Sequence, residues 1–158
     1  MSHSSNEAVL AAAEAENREF LVFSLGDEEY AIDILKVQEI RGYENVTRIA
    51  NAPAHVLGVM NLRGVIVPIV DLRRQFGLPA ENGTHTVTIV VNVGHRTVGL
   101  VVDAVSDVVA LSAEQIQPRP SLGQQVAADF IVGLAQVDST EGLRLLQLVD
   151  LTALLCEL

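Results

Sequence analysis

Lysine is almost missing from this chain: Lys36 is the only one among 158 residues, and even with nine arginines the net charge is −10. Nucleic acid and anionic lipid both require a basic face, so neither is an expected partner. Cysteine is nearly as scarce. Cys156 has no second cysteine with which to close an internal disulfide, and within Leu154-Leu155-Cys156 it reads as a packed or fraying helix end. Long apolar runs are lacking too: Val65 to Val70 and Val98 to Val102 fall far short of the ~18 to 20 residues of a membrane span. The N-terminal MSHSSNEAVLAAAEAENRE has neither the basic start nor the continuous apolar core of a secretion signal, so a cytoplasmic location is expected.

Catalytic constellations are equally scarce. His3, His55, His85 and His95 are scattered, with no pair at the i, i+3 or i, i+4 spacing of metal ligands on one helix. There is no phosphate loop, no dinucleotide-binding glycine motif and no nucleophile elbow. Asp33, Asp71, Asp103, Asp107 and Asp150 each have a structural use as turn former, helix cap or strand-end charge. The expectation is a non-catalytic protein with no metal and no cofactor, whose work is binding.

What is present is organised around GVMNLRGVIVPIVDLRR, Gly58 to Arg74. Val59, Met60 and Leu62 read as a strand leading to an Arg63-Gly64 corner; Val65 to Val70 is an apolar, β-branched strand, and Asp71 is placed to cap a helical turn. Pro68 lacks a ladder donor, which predicts an edge position or a bulge for the second strand. Earlier in the chain, Glu19 to Leu25 predicts a strand buried on both faces, Gly26 to Glu29 a turn, Tyr30 to Ile34 the returning strand, and Leu35 to Ile40 a further extended stretch. The segment before it, residues 1–17, reads as a mobile tail. Arg41, Arg48, Arg63, Arg73, Arg74 and Arg96 stand isolated or paired among acids, which suits bidentate contacts, although for most of them a solvated surface is the expected setting.

The second half repeats the first. Aligning Phe23 to Gly26 on Val91 to Gly94 brings Tyr30 onto Val98, Val37 onto Val105, Glu39 onto Asp107 and Ile40 onto Val108 without a gap. Further on, Gly58 matches Gly133, Gly64 matches Gly142, and Val70 to Leu72 matches Val149 to Leu151. Each copy predicts about five short strands ending in a short helix, Asp71 to Phe76 and Asp150 to Glu157. Such strands close most simply into a small barrel. The expected fold is therefore all-β, with two five-stranded barrel subdomains at approximately residues 18–85 and 86–158 and strand exchange between them left open. Ser112 to Asp129 is the longest polar segment of the second half; it is either a partner-contacting loop with Leu122 as its exposed apolar residue or a plain connection.

Asn61-Leu62-Arg63-Gly64 followed by Val67 to Arg73 closely resembles the signature of the CheW family of chemotaxis coupling proteins. Phe20 to Phe23, Gly26 to Ile34, Val37 to Tyr43 and Gly99 to Val108 extend the resemblance, which runs from about Glu19 to the C-terminus. It implies two SH3-like barrels, a fold shared with the regulatory domain of the chemotaxis histidine kinase CheA. It further implies an adaptor that ties the cytoplasmic tips of methyl-accepting chemoreceptors to CheA and helps to assemble receptor arrays, catalysing nothing. The positions matching the family's receptor-binding groove are Val37, Glu39, Arg63, Gly99 and Val105, and those matching a region that contacts the kinase are Gln117 and Leu122. A competing arrangement of the same residues has the valines in the core and Arg63 paired internally with Glu39. A barrel that holds a small metabolite is the rival from another functional class.

Overall fold

The computed structural model describes residues 18–44, 46–118 and 130–155. The first hairpin pairs β1 (Arg18–Leu25) with β2 (Glu28–Asp33) around a two-residue loop, shorter than the four-residue turn expected. Alternation along β1 sends Leu21, Phe23 and Leu25 into one apolar cluster and Phe20 and Val22 into another, so the strand is buried on both faces. The next residues depart from the extended stretch expected at Leu35. Ile34–Lys36 form a single 3₁₀ turn because the Asp33 carboxylate accepts the Leu35 N–H at 3.0 Å, and β3 (Val37–Gly42) starts only after it.

The central hairpin joins β4 (Val56–Leu62) to β5 (Val65–Asp71), and Asp71 caps α1 (Leu72–Gln75) by accepting the Arg73 N–H at 3.0 Å. The second half then supplies β6 (Val87–Val93), β7 (Arg96–Val102), β8 (Ala104–Leu111), a short β9 (Ile116–Pro118), β10 (Ile131–Ser139), β11 (Gly142–Val149) and α2 (Leu151–Leu155). Asp150 repeats the cap, its carboxylate accepting the Thr152 N–H at 3.0 Å.

The strands form two sheets, six-stranded in the order β8-β1-β2-β11-β10-β9 and five-stranded in the order β3-β6-β7-β5-β4, each curled into a small SH3-like barrel. The repeat is written in their registers. Val37 pairs with Val91 on β6, and its counterpart Val105 pairs with Phe23 on β1; both ladders then slip by one residue, past Gln38 and past Ser106. The parallel ladders correspond as well, with Ile69 opposite Gly99 and Leu148 opposite Ala31.

Each barrel therefore mixes the copies: β3, β4 and β5 of the first join β6 and β7 of the second, and β8 to β11 of the second join β1 and β2 of the first. The boundary of the repeat near residue 85 is not a boundary of the sheets. β3 to β7 form one barrel from contiguous chain, Val37 to Val102; the other takes β1 and β2 from the start and β8 to β11 from the end. The six-stranded sheet also carries β9, one strand more than expected.

Of the two placements expected for Pro68, the edge is corrected, while the bulge of this hairpin falls on β4 at Leu57, opposite the Ile69–Val70 step. The strand of Pro68 is not an edge, since β5 lies between β4 and β7. Val59, opposite Pro68, spends both backbone groups on Thr47, with Thr47 N–H to Val59 O at 2.9 Å and Val59 N–H to Thr47 O at 2.8 Å. Pro68 thus sits at a non-hydrogen-bonded site of the β4 ladder, and its missing donor faces β7, where pairing begins one residue later at Ile69.

Three apolar clusters hold the chain together. Each barrel has its own, around Val22, Leu111 and Leu146 in one and Met60, Val67 and Val101 in the other. The largest lies between them and draws Phe23, Tyr30, Val70, Phe76, Ile89, Leu100, Phe130 and Leu154 from both sheets and both helices. At ~25 cal/mol per Å² of apolar surface, a shared core of this size welds the barrels into one cooperative unit. Among the described residues, no helix is long and apolar enough to cross a membrane.

Candidate functional site

The Arg63-Gly64 corner is built by its own sequence. Leu62 pairs with Val65, so two residues make the whole connection, and both take positive φ, 52° at Arg63 and 87° at Gly64. That is the handedness of a two-residue hairpin loop, met without strain by glycine and unusual for arginine. Asn61 holds the corner by accepting the Gly64 N–H at 2.8 Å. The side chain of Arg63 stands out from it, 63% exposed, and reaches across to β3, where Nη2 donates to Glu39 Oε2 at 2.6 Å.

Glu39 is the centre of a short row of charges. Its other oxygen accepts from Arg41 Nη1 at 3.2 Å, and Arg41 Nη2 bonds Glu44 at 2.9 Å. The Arg63 guanidinium holds the Glu39 carboxyl below the usual carboxylate range, and Arg41 acts in the same direction. Arg63 and Glu39 are thus paired internally, yet Arg63 makes no other ion pair among the described residues and keeps donors that face solvent.

Val37 and Val105 are half-buried and pack on the same inter-barrel cluster, one from each sheet. Gly99 is not at the surface with them. It is buried in β7, and a Cβ there would lie 2.5 Å from Ile69 Cδ1 and 2.9 Å from Thr88 Cγ2, so its role is to let strands of the barrel pack closely. Gln117 is exposed on β9, at the edge of the six-stranded sheet and away from the corner. Leu122 lies outside the described residues. Of the positions singled out in the sequence, Glu39 and Arg63 are in direct contact, Val37 shares β3 with Glu39, and Val105 meets Val37 only through the common core.

A CheW-like domain family model matches residues 19–158 of this chain. The chemotaxis protein CheW of Klebsiella aerogenes is 55% identical over 148 residues, covering 91% of this chain and 85% of that protein. The chain belongs to the CheW family of chemotaxis coupling proteins. The CheW of Bacillus subtilis is 33% identical over 137 residues, 85% of each chain. The crystal structure of the scaffolding protein CheW from Thermoanaerobacter tengcongensis superposes with a TM-score of 0.77 at 30% identity, covering 85% of this chain and 89% of that one. Membership makes this CheW-family chain a non-catalytic scaffold.

Two constellations of this CheW fold were not assembled from the sequence, although Arg73 is among the arginines whose setting suits bidentate contacts. Arg144 on β11 makes two forks at once: Nε and Nη2 to the Glu29 carboxylate at 3.0 and 2.6 Å, Nη1 and Nη2 to that of Asp107 at 3.0 and 2.9 Å. Asp107 is the repeat counterpart of Glu39, so each copy fixes the acid of its crossing strand with an arginine from a hairpin. Arg144 holds the Asp107 carboxyl below its ordinary range, and the two carboxylates push the guanidinium further upward. The signal available was a lone basic residue between Leu143 and Leu145 in an apolar strand.

The second is Arg73, whose side chain is 1% exposed. It forks onto Asp71 at 2.9 and 3.0 Å and bonds Asp103 at 3.1 Å, the Glu81 carbonyl at 2.8 Å and Asn82 at 2.8 Å. Asp103 also accepts the Gly26 N–H at 2.6 Å. One buried cation thereby ties α1, the segment before β6, the β7–β8 junction and the β1–β2 turn.

Proposed function

We propose that this chain couples the cytoplasmic tips of methyl-accepting chemoreceptors to the regulatory domain of the histidine kinase CheA, working in the cytoplasm at membrane-associated receptor arrays. The observation that carries the reading is the exposed Arg63, pinned by a two-residue corner and bonded to the half-buried Glu39. The corner fixes where the guanidinium starts and leaves open what it reaches. A receptor helix lying along β3 would bury apolar side chains against Val37 and, across the shared core's surface, Val105, each worth about 1.5–3 kcal/mol when fully buried. Arg63 and Glu39 would set its orientation. Gly99 supports that surface from inside the barrel. The kinase would meet a different face, with Gln117 and Leu122 assigned to it by their match to a region that the family uses against the kinase.

The test is CheA autophosphorylation with receptor-containing membranes, with and without the purified protein. Activation should require all three components and fall on addition of attractant. Arg63→Glu should abolish that activation while leaving the thermal midpoint within a degree or two. A folded Arg63→Glu protein that couples normally would remove Arg63 from the interface, and no activation by the wild-type chain with cognate partners would sink the coupling role.

A further inference from the structure

A cavity of about 400 Å³ opens on the contiguous barrel between the segment after β3 and α1, lined by Tyr43, Arg48, Ile49, Pro53, Leu57 and Arg74 among others. Two arginines and a tyrosine thus line one space together with Val46, Ile49, Val56 and Leu57. In a chain of net charge −10, this local concentration of cations is unusual. Among the described residues neither arginine hydrogen-bonds to an acid. Among the described residues Arg48 makes no ion pair. Arg74 has only a 3.7 Å approach to Asp71, beyond hydrogen-bonding distance, and the oxygens of Asp71 are already taken by Arg73.

Both cations are mounted on fixed backbone. Arg48 follows Thr47, which is tied through its own N–H and C=O to Val59, and Gly58 lies so close to Thr47 that a Cβ would fall 2.1 Å from the Thr47 carbonyl oxygen. Arg74 projects from the helix whose cap, Asp71, donates its N–H to the His55 carbonyl at 2.8 Å. The geometry is prepared before any ligand arrives, which lowers the ordering cost of binding.

The other half of the molecule acts as an internal control. Gln117 occupies in the β9–β10 ladder the place that Thr47 occupies beside β4, so the counterpart of Arg48 is Pro118, while that of Arg74 is Ala153. The fold is built there without either arginine. We infer that the Arg48–Arg74–Tyr43 cavity is a binding site for a phosphate-bearing ligand with an apolar body. Two planar guanidinium forks match a doubly charged oxyanion, the hydroxyl supplies a further donor, and Val46, Ile49, Val56 and Leu57 receive the apolar part. The inference stands apart from the coupling role and from the Arg63 corner.

The experiment is a titration of the full chain followed by ¹H–¹⁵N chemical shifts at constant ionic strength, using inorganic phosphate, phenyl phosphate and sodium chloride. Saturable shifts centred on Tyr43, Arg48 and Arg74 are expected with both phosphates, tighter with phenyl phosphate and absent with chloride. Arg74→Ala, which copies the residue of the other half, and Arg48→Gln should each weaken binding about tenfold or more with the rest of the spectrum unchanged. A phosphoserine peptide then separates sources: tighter binding than phenyl phosphate assigns the phosphate to a protein side chain, weaker binding to a small molecule. Linear shifts, shifts matched by chloride, or saturation untouched by both substitutions would overturn the site.

Discussion

The two copies of the repeat share a backbone plan and spend their charges differently. In the discontinuous barrel, Arg144 is 21% exposed and divides its donors between Glu29 and Asp107, so that guanidinium is fully engaged within the fold. In the contiguous barrel the corresponding acid, Glu39, is met by an arginine from the corner that is 63% exposed and only partly engaged. Behind these, Asp71 caps a helix whose second residue is the buried Arg73, whereas Asp150 caps one whose second residue is the exposed Thr152. Duplication let one barrel use its charges to close itself, and left the other with cations directed outward at the corner and into the cavity.

The largest effect that would sharpen this contrast is at the helix caps. Arg73→Ala leaves Asp71 buried without its partner and should lower stability by about 3–5 kcal/mol, read from urea unfolding, while Thr152→Ala should stay within about 0.5 kcal/mol. Near-equal losses would show that the buried network is not what sets the copies apart. A smaller contrast lies at the bulge glycines. Gly58→Ala drives a Cβ to 2.1 Å from the Thr47 carbonyl oxygen, whereas Gly133→Ala meets that of Gln117 at 2.9 Å. The first should be the more destabilising by roughly 1–3 kcal/mol and should loosen the Thr47 bridge, visible as faster exchange of the Val59 amide.

Between the arginines, Arg144→Ala should lower the melting temperature by a few degrees, since its surface network is worth about 1 kcal/mol, and Arg63→Ala should barely move it. The reverse order would place the closing charge in the contiguous barrel. The smallest effect is in the acid range. Glu39 and Asp107 are both held below their ordinary values by arginine, so their stabilisation is complete at neutral pH. It begins to fall as the unfolded chain takes up protons near pH ~4 and is lost as the pH drops through the folded values. Arg144→Ala should flatten the acid limb of stability against pH more than Arg63→Glu flattens it once its own offset is subtracted.

Much of this was legible in the sequence. The two-face burial of β1, the Arg63-Gly64 corner and the caps at Asp71 and Asp150 follow from patterns within a few residues, where alternation and turn chemistry act. The repeat was legible because equal lengths from β1 to β3 and from β6 to β8 keep Val37 and Val105 in register. What pairs with what was not. Val37 on Val91 and Val105 on Phe23 are contacts between distant segments, and the alternation of β3 is satisfied by either barrel. The edge placement of Pro68 failed for the same reason, since one missing N–H excludes one ladder position without excluding a neighbour farther along. Arg73 and Arg74 are adjacent and chemically identical in sequence. Only the tertiary placement of Asp103 and Glu81 makes the first a buried tie and leaves the second facing a cavity.

The exchange of strands also sets an order of events during synthesis. The contiguous barrel has all five of its strands once Val102 has left the ribosome, whereas β1 and β2, made earliest, must wait for β8, β10 and β11 at the far end of the chain. Until then both flanks of the first hairpin are open ladders, able to template pairing with another nascent chain. The first hairpin is thus made before the contiguous barrel and sheltered after it, and its exposure lasts until β8 and β11 have been made.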